Sequence, residues 1–378
     1  MDIICFSHLR WNFVYQRPQH LLSRFAKHFR VFFVEEAIFD ADTPYLDNSL
    51  STEGVWVIVP HLTPGLDEAS AAAKQRGLLQ GFFSYFKLVD HICWYYTPMA
   101  LPLAGDLDPV LTVYDCMDEL SAFKNAPPLL RQREAELMQK ADIVFTGGHS
   151  LFEAKRKSHK SIYPFPSSID KKHFAKARTA VLDPADQFFI PQPRIGFFGV
   201  IDERMDLKLL EQIATMRPDW QYILIGPVVK IDPDTLPKLP NIHYLGGKQY
   251  CDLPTYLSGW DVAMMPFALN ESTRFISPTK TPEYLAGGVP VVSTAIQDVV
   301  KPYGENGLVY IAHSPEDFVK GIEQEMQMKN KKSWKTAVDA FLENNSWDDT
   351  AEKMIFCMNT KIEAKQQDTN KKKENAYV

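Results

Sequence analysis

The chain has 378 residues, 45% of them apolar and 23% charged, with a net charge of -6. That length exceeds what one core usually serves, so two domains are expected. The acidic balance gives no support for nucleic acid as a partner. Cys5, Cys93, Cys116, Cys251 and Cys357 lie far apart with no C-x-x-C pair. Such a set reads as free thiols in a reducing compartment.

In chain order, Ile3 to Ser7 is a short apolar strand, and Arg17 to His28 a helix with Leu21, Leu22 and Phe25 on one face. No signal peptide precedes that strand, so a cytoplasmic protein is expected. Val31 to Val34 and Val55 to Val59 are strands, Glu68 to Lys87 is helical in part, and Ile92 to Tyr96 and Val110 to Tyr114 are strands. The window Gly81 to Leu103 is broken by Lys87, Asp90 and two prolines, too often to span a bilayer. Its aromatic run, Phe82 to Tyr96, fits a buried helix and strand, or a peripheral contact on the inner face of the cell membrane. Pro127 to Lys140 is a helix, Ile143 to Thr146 a strand, and Gly147-Gly148 leads into a basic helix from Ser150 to Ser158. Continuous apolar strands separated by helices imply a parallel sheet covered on both faces.

Between Ser167 and Phe189 prolines crowd a segment without periodicity, and the domain boundary is expected there. The alternation then restarts with strands at Arg194–Phe198, Tyr222–Ile225, Ile242–Leu245, Val262–Met265, Val289–Val292 and Leu308–Ile311. Helices are expected at Asp206–Thr215 and Leu253–Ser258, then from Ser314 to about Lys329, from Trp334 to Glu343 and from Trp347 on. The expected division is an N-terminal domain over 1–180, a C-terminal domain over 190–345 and a terminal helix over 346–363. After about Ala364 almost nothing is apolar, so 364–378 reads as a disordered tail.

Candidate chemistry gathers at strand ends, where doubly wound sheets bind ligands. Gly199 and Gly226 each follow a strand, and each is either a structural turn or a close approach to a ligand. Ser277-Pro278-Thr279-Lys280-Thr281-Pro282-Glu283 opens a helix. Ser277 and Thr279 suit a cap, and both prolines fit only in or before the first turn. Free N–H groups beside Lys280 make a phosphate site, with Glu283 one turn on to accept hydrogen bonds from ribose hydroxyls. The competing reading is an ordinary helix with solvated ends. Arg204 with Lys280 would neutralise a diphosphate. In the first half His8, Trp11, Arg17, Gln19 and His20 flank the first strand–helix joint and suit hydroxyl-rich or anionic ligands, with Trp11 stacking on a sugar. Asp115 and Asp118 follow another strand, where a general base or acceptor-orienting carboxylate belongs, although Asp115 also fits a helix cap. The D-x-D triplets at Asp40, Asp106 and Asp232 read as chance, so no metal is expected, and neither a dinucleotide fingerprint nor a Walker A motif occurs.

Together the segments ADIVFTGGHSLFEAKR, PFPSSIDKKHF, RIGFFGVIDERMDLKLL, NIHYLGGKQYCDLPTYLSGWDVAMMPF and SPTKTPEYLAGGVPVVS resemble, in order, the retaining family 4 glycosyltransferases, also called glycosyl transferases group 1. The closing SWDDTAEKM resembles that family's terminal helix, which crosses back to the first domain. The resemblance implies an α/β GT-B fold, two Rossmann-like doubly wound domains facing across a cleft. It implies a nucleotide-sugar donor, a UDP-sugar, as co-substrate with no further cofactor, held by the second domain. The acceptor, a glycan or lipid-linked hydroxyl in cell-surface polysaccharide synthesis, is held by the first. Glu283 matches the second Glu of the family's E-x7-E motif, Lys280 and Arg204 its diphosphate positions, and Tyr244 to Tyr250 the stretch around the base. The chain departs from the pattern at Phe275, which stands at the first motif Glu, at Ser7–Trp11 in place of a Gly-rich loop, and at Gly199-Val200 in place of Gly-Arg. With the resemblance in view, Asp115, Arg204 and Lys280 are the expected catalytic residues, and transfer without a metal or protein nucleophile is implied. An epimerase of the same fold and a non-catalytic assembly protein are the alternatives.

Overall fold

The computed structural model describes residues 1–180, 182–328 and 331–376, with the side chains of 369–376 left aside. Two sheets form its frame. The first contains β1 (Asp2–Phe6), β2 (Arg30–Val34), β3 (Ile38–Phe39), β4 (Tyr45–Leu50), β5 (Val55–Leu62), β6 (His91–Tyr95), β7 (Leu111–Cys116), β8 (Ile143–Thr146) and β9 (Ile162–Pro164). Its order is β3-β5-β2-β1-β6-β7-β8-β9, parallel throughout except for β4, which pairs antiparallel with β5. The second sheet contains β10 (Arg194–Phe198), β11 (Gln221–Ile225), β12 (Ile242–Tyr244), β13 (Val262–Met265), β14 (Val291–Thr294) and β15 (Tyr310–Ala312), in the order β12-β11-β10-β13-β14-β15.

Each sheet changes direction of growth beside its first strand, between β1 and β6 and between β10 and β13. Strand ends at such switch points diverge and leave a crevice. The strands there are buried along their whole length, as Val, Ile and Phe runs covered by helices on both faces must be. The first domain therefore has two core clusters, one per face of its sheet.

The terminal helix returns to the first domain. It runs Trp347–Ala376, and Trp347, Ala351, Met354, Met358 and Ile362 form one buried stripe against Trp94 and Phe145. Arg24 pairs with Asp348, and Lys365 with Asp142 at 2.7 Å. The expectation of a disordered tail from 364 is thus corrected through Ala376. Lys, Gln and Glu are good helix formers, and here they extend a helix already nucleated by its docked stripe. Residues 377 and 378 lie outside the described residues, as does the Lys329 end expected for the helix seen at Pro315–Met326. The boundary also moves. Ile169, Phe174 and Ala177 pack into the second domain's core, so the chain crosses just after Ser168, at the start of the expected Ser167–Phe189 segment and ahead of the 180–190 gap. Their apolar side chains alternate with Asp170, Lys171 and Lys172 at no regular period, which hid the packing.

Candidate active site

A cleft of about 980 Å³ opens between the strand ends of the two sheets. Of the residues expected at a site, Trp11, Arg17, Gln19, Asp118, Gly199, Arg204, Gly226, Tyr250, Ser277, Thr279, Lys280 and Glu283 line it. His8, His20, Asp115 and Tyr244 are not among its lining residues.

The second-domain wall is built by an interlock. Gly226 has φ +148° and Gly199 φ +135°, and a Cβ on Gly226 would lie 1.9 Å from the Gly199 carbonyl oxygen. A Cβ on Gly199 would lie 2.2 Å from Cε of Lys280. The two glycines therefore exist to let Lys280 lie across the end of β10, with its ammonium 5.4 Å from the Phe197 ring centroid and 5.8 Å from that of Phe267. Lys280 begins the helix Lys280–Ala286, whose first residues carry no side-chain cap. Burial and the neighbouring Arg204 hold the Lys280 ammonium below the usual lysine range, with Glu283 opposing. Burial pushes the Glu283 carboxyl up, with Lys280 opposing. Ionisable groups displaced toward neutrality and gathered in one cleft are the pattern of a functional site.

Arg204 is aimed by Asp202, which accepts from its Nε at 3.0 Å and its Nη2 at 2.7 Å. Phe123 of the first domain lies under that guanidinium at 5.6 Å, and Lys230 sits over the same ring at 5.2 Å. Neither Phe123 nor Lys230 was foreseen from the sequence. A loop phenylalanine carries no periodic signal, and Lys230 adopts φ +62° in a turn whose sequence contains no glycine at that point. Asp118 completes this group. Burial raises its pKa to about 6, against the pull of Arg204, Arg17 and Lys230.

On the first-domain side the expected ligand contacts are largely spent on the protein itself. Asp115 is fully buried and accepts two bonds from Arg17, from Nε at 3.0 Å and Nη2 at 2.8 Å, while Arg17 Nη1 donates to the Phe165 carbonyl at 2.7 Å. The pair ties the Arg17–Phe25 helix to β7, and no carboxylate surface is left for an acceptor. His20 stacks on Trp347 at 4.7 Å and 10°, inside the packing of the terminal helix. Burial lowers the His8 pKa to about 4 and keeps that ring neutral. Tyr244 donates its hydroxyl to the Pro237 carbonyl at 3.1 Å, away from the cleft. Trp11 borders the cleft but is 6% exposed and packed edge-on against Phe33, so it offers no open face to a sugar. Gln19 donates to the Trp11 carbonyl at 2.8 Å. Tyr250 reaches the cleft, but its ring faces are covered by Tyr15 at 4.5 Å and His173 at 4.3 Å, so it cannot stack on a base.

The domains also touch directly. Ser150 N–H donates to Asp298 Oδ1 at 2.9 Å, and Ser167 Oγ donates to the Ser277 carbonyl at 2.5 Å. The Gly147-Gly148 turn is packed by this contact, since a Cβ on Gly148 would lie 2.2 Å from Asp298 Oδ2. Phe275 turns away from the cleft and packs against the first domain's core beneath Arg274.

Two facing Rossmann-like domains, with displaced charges at the strand ends between them, define the architecture of the GT-B glycosyltransferases. Residues 192–327 match the family model described as glycosyl transferases group 1. The chain is 23% identical over 299 residues to the "Putative teichuronic acid biosynthesis glycosyltransferase TuaH" of Bacillus subtilis (strain 168), covering 72% of this chain and 70% of that one. Among solved structures it resembles the sucrose-phosphate synthase of Thermosynechococcus elongatus, with a TM-score of 0.72 at 14% identity, covering 96% and 100% of the two chains. It likewise resembles Anabaena Alr3699/HepE in complex with UDP, with a TM-score of 0.67 at 12% identity over 95% and 100%.

Proposed function

We propose that the protein transfers a sugar from a UDP-sugar to a hydroxyl of a glycan or lipid-linked acceptor in cell-surface polysaccharide synthesis, working in the cytoplasm. The observation that carries this reading is the interlock of Gly226, Gly199 and Lys280 beside Arg204. Departure of a nucleoside diphosphate concentrates negative charge on its terminal phosphate. Lys280 and Arg204, held in advance by glycine packing and by Asp202, stabilise that charge without reorganising. Diphosphate binding would raise the Lys280 pKa and keep its charge. Glu283 accepts from the ribose hydroxyls. The teichuronic acid glycosyltransferase relative supports the polysaccharide assignment, and the UDP-bound neighbour supports the donor class.

Asp118, the cleft carboxylate next to Arg17 and Arg204, takes the acceptor-side role first given to Asp115, and orients the attacking hydroxyl. We propose transfer with retention and without a metal, the two cations meeting the leaving group's charge. No described helix is long and apolar enough to cross a membrane. Contact with a membrane-borne acceptor would use the exposed Tyr85 and Val89 at the end of the Glu68–Tyr85 helix.

The test is release of UDP from a panel of UDP-sugars, with and without extracts containing lipid-linked acceptors, followed by anomeric assignment of the product. Acceptor-dependent UDP release is expected. Interconversion of the donor sugar with no acceptor present would overturn the transferase reading.

A further inference from the structure

Phe123 is a large apolar side chain placed outside the apolar packing of the molecule. It is half-buried, yet it joins none of the three buried core clusters. What it packs against is charge from across the cleft, the Arg204 guanidinium at 5.6 Å and the Lys230 ammonium at 5.2 Å. Lys230 reaches the ring from a turn with φ +62°, a conformation that side chains other than Gly and Asn rarely adopt. The loop presenting the ring is anchored in its own domain. Glu119 receives Lys155 at 2.8 Å and the Ser121 hydroxyl at 2.7 Å, and the Phe123 N–H donates to the Leu120 carbonyl at 3.3 Å. Asp118 stands on the same loop, just ahead of its short helical turn Leu120–Ala122.

Asp202 accepts from Nε and Nη2 of Arg204, which fixes one edge of the guanidinium and leaves Nη1 outside the fork. Bonds along one edge still let the plane tilt about that edge. An aromatic ring against the plane blocks the tilt and aims Nη1. Resting on the transferase reading above, we infer that Phe123 is a positioning residue: from the loop that carries Asp118 it sets the tilt of Arg204 across the cleft, so that this cation is aligned only while the two domains are closed. The bonds from Ser150 N–H to Asp298 and from Ser167 Oγ to the Ser277 carbonyl hold the domains at the separation where ring and guanidinium meet. A charge-stabilising group is effective only when it is aimed before the reaction begins, and small misplacements are costly. Donor cleavage is thereby tied to the presence of the acceptor-side loop, and a donor bound in an open cleft meets an arginine free to tilt.

The experiment is UDP release from whichever UDP-sugar of the panel above shows acceptor dependence, for wild type, Phe123→Leu, Phe123→Tyr, Arg204→Ala and the double variant Phe123→Leu with Arg204→Ala. Thermal melting should coincide throughout, since the ring lies outside every core cluster; should Leu lower it, Phe123→Met takes its place in the same comparison. Phe123→Leu should lower kcat about fivefold to thirtyfold, the worth of a desolvated cation–π contact, with donor KM changed by less than about twofold. Phe123→Tyr keeps the ring face and should restore kcat to within about threefold of wild type. On the Arg204→Ala background the loss of the ring should change nothing further, because no guanidinium is left to aim. Losses that multiply in the double variant would overturn the inference, as would a Tyr variant no better than Leu or a raised donor KM at unchanged kcat; each leaves the transferase reading standing. If wild type shows acceptor-dependent UDP release with no UDP-sugar, the transferase reading itself falls and this inference with it.

Discussion

The two walls of the cleft carry similar inventories of polar side chains and treat them differently. On the first-domain wall, Arg17 closes on Asp115, Gln19 on the Trp11 backbone, and Arg10 on Glu35 at 2.8 Å. These three pairs are answered within their own domain, while the buried His8 Nδ1 and His20 Nε2 have no hydrogen-bond partner among the described residues. On the second-domain wall Lys280 and Glu283 face each other and are held by packing, and burial displaces both toward neutrality. The paired charges that tie elements together and the charges displaced by burial lie mostly on opposite sides of one crevice. A group held in an environment that disfavours its charge has free energy to release when a ligand arrives, whereas a satisfied pair has none.

Breaking the satisfied wall should give the largest effect on stability. Asp115→Ala leaves the Arg17 charge buried without its partner, and chemical denaturation should show a loss of about 3–5 kcal/mol. Breaking the unmatched wall should instead spare the fold. Lys280→Ala should lower the rate of UDP release about 10²- to 10³-fold with melting unchanged or raised, the scale seen when one preorganised charge-stabilising group is removed. If Lys280→Ala unfolds the protein, or Asp115→Ala removes only activity, the contrast between the walls is wrong.

Asp118 belongs with the unmatched groups and sharpens the comparison through pH. Its folded pKa of about 6 lies above the ordinary aspartate value of 3.8. Between those values the folded state holds more protons than the unfolded one, so this group's contribution to stability declines as pH rises and is gone above about 6. Asp118→Asn should therefore raise stability above pH 7 by about 1–2 kcal/mol, measured by denaturant midpoint, while slowing transfer. The wild-type rate should fall as pH drops through about 6, and the variant should lack that limb. The smallest effect is expected for Arg24→Ala, which breaks a partly exposed pair with Asp348 and should cost about 0.5 kcal/mol by the same denaturant measurement.

Most strands were readable because parallel strands buried on both faces must be continuous apolar runs, as β1, β6, β10 and β13 are. The β4 strand was missed because it is an exposed edge, reading Tyr45-Leu46-Asp47-Asn48-Ser49-Leu50 with no buried face to impose a pattern. The helix that brings Lys280 and Glu283 to the cleft was readable from the prolines around its start, although no side chain caps it. Asp115 was misassigned because position at a strand end does not say which face a side chain takes. Along β7, Leu111 and Val113 face one core cluster and Tyr114 and Cys116 the other, so alternation sends Asp115 inward beneath Arg17. Only Asp118, past the end of the strand, is free of that rule. Tyr250 reaches the cleft as expected, but the rings that cover it come from Tyr15 and His173, remote in sequence, and close its faces to stacking.

The interlock of Gly226, Gly199 and Lys280 has a bearing on how such a protein diversifies. No side chain can be added at Gly226 without striking Gly199, nor at Gly199 without striking Lys280. Both glycine positions are closed to drift by single substitution. New donor preferences must then arise at neighbouring positions that can still vary, and the Asn270–Phe275 loop is the adjacent candidate. There Glu271 and Arg274 are exposed and lie 3.8 Å apart as an ion pair. Under the proposed function, a lineage of such proteins would keep these two glycines fixed while the sugar it carries changes.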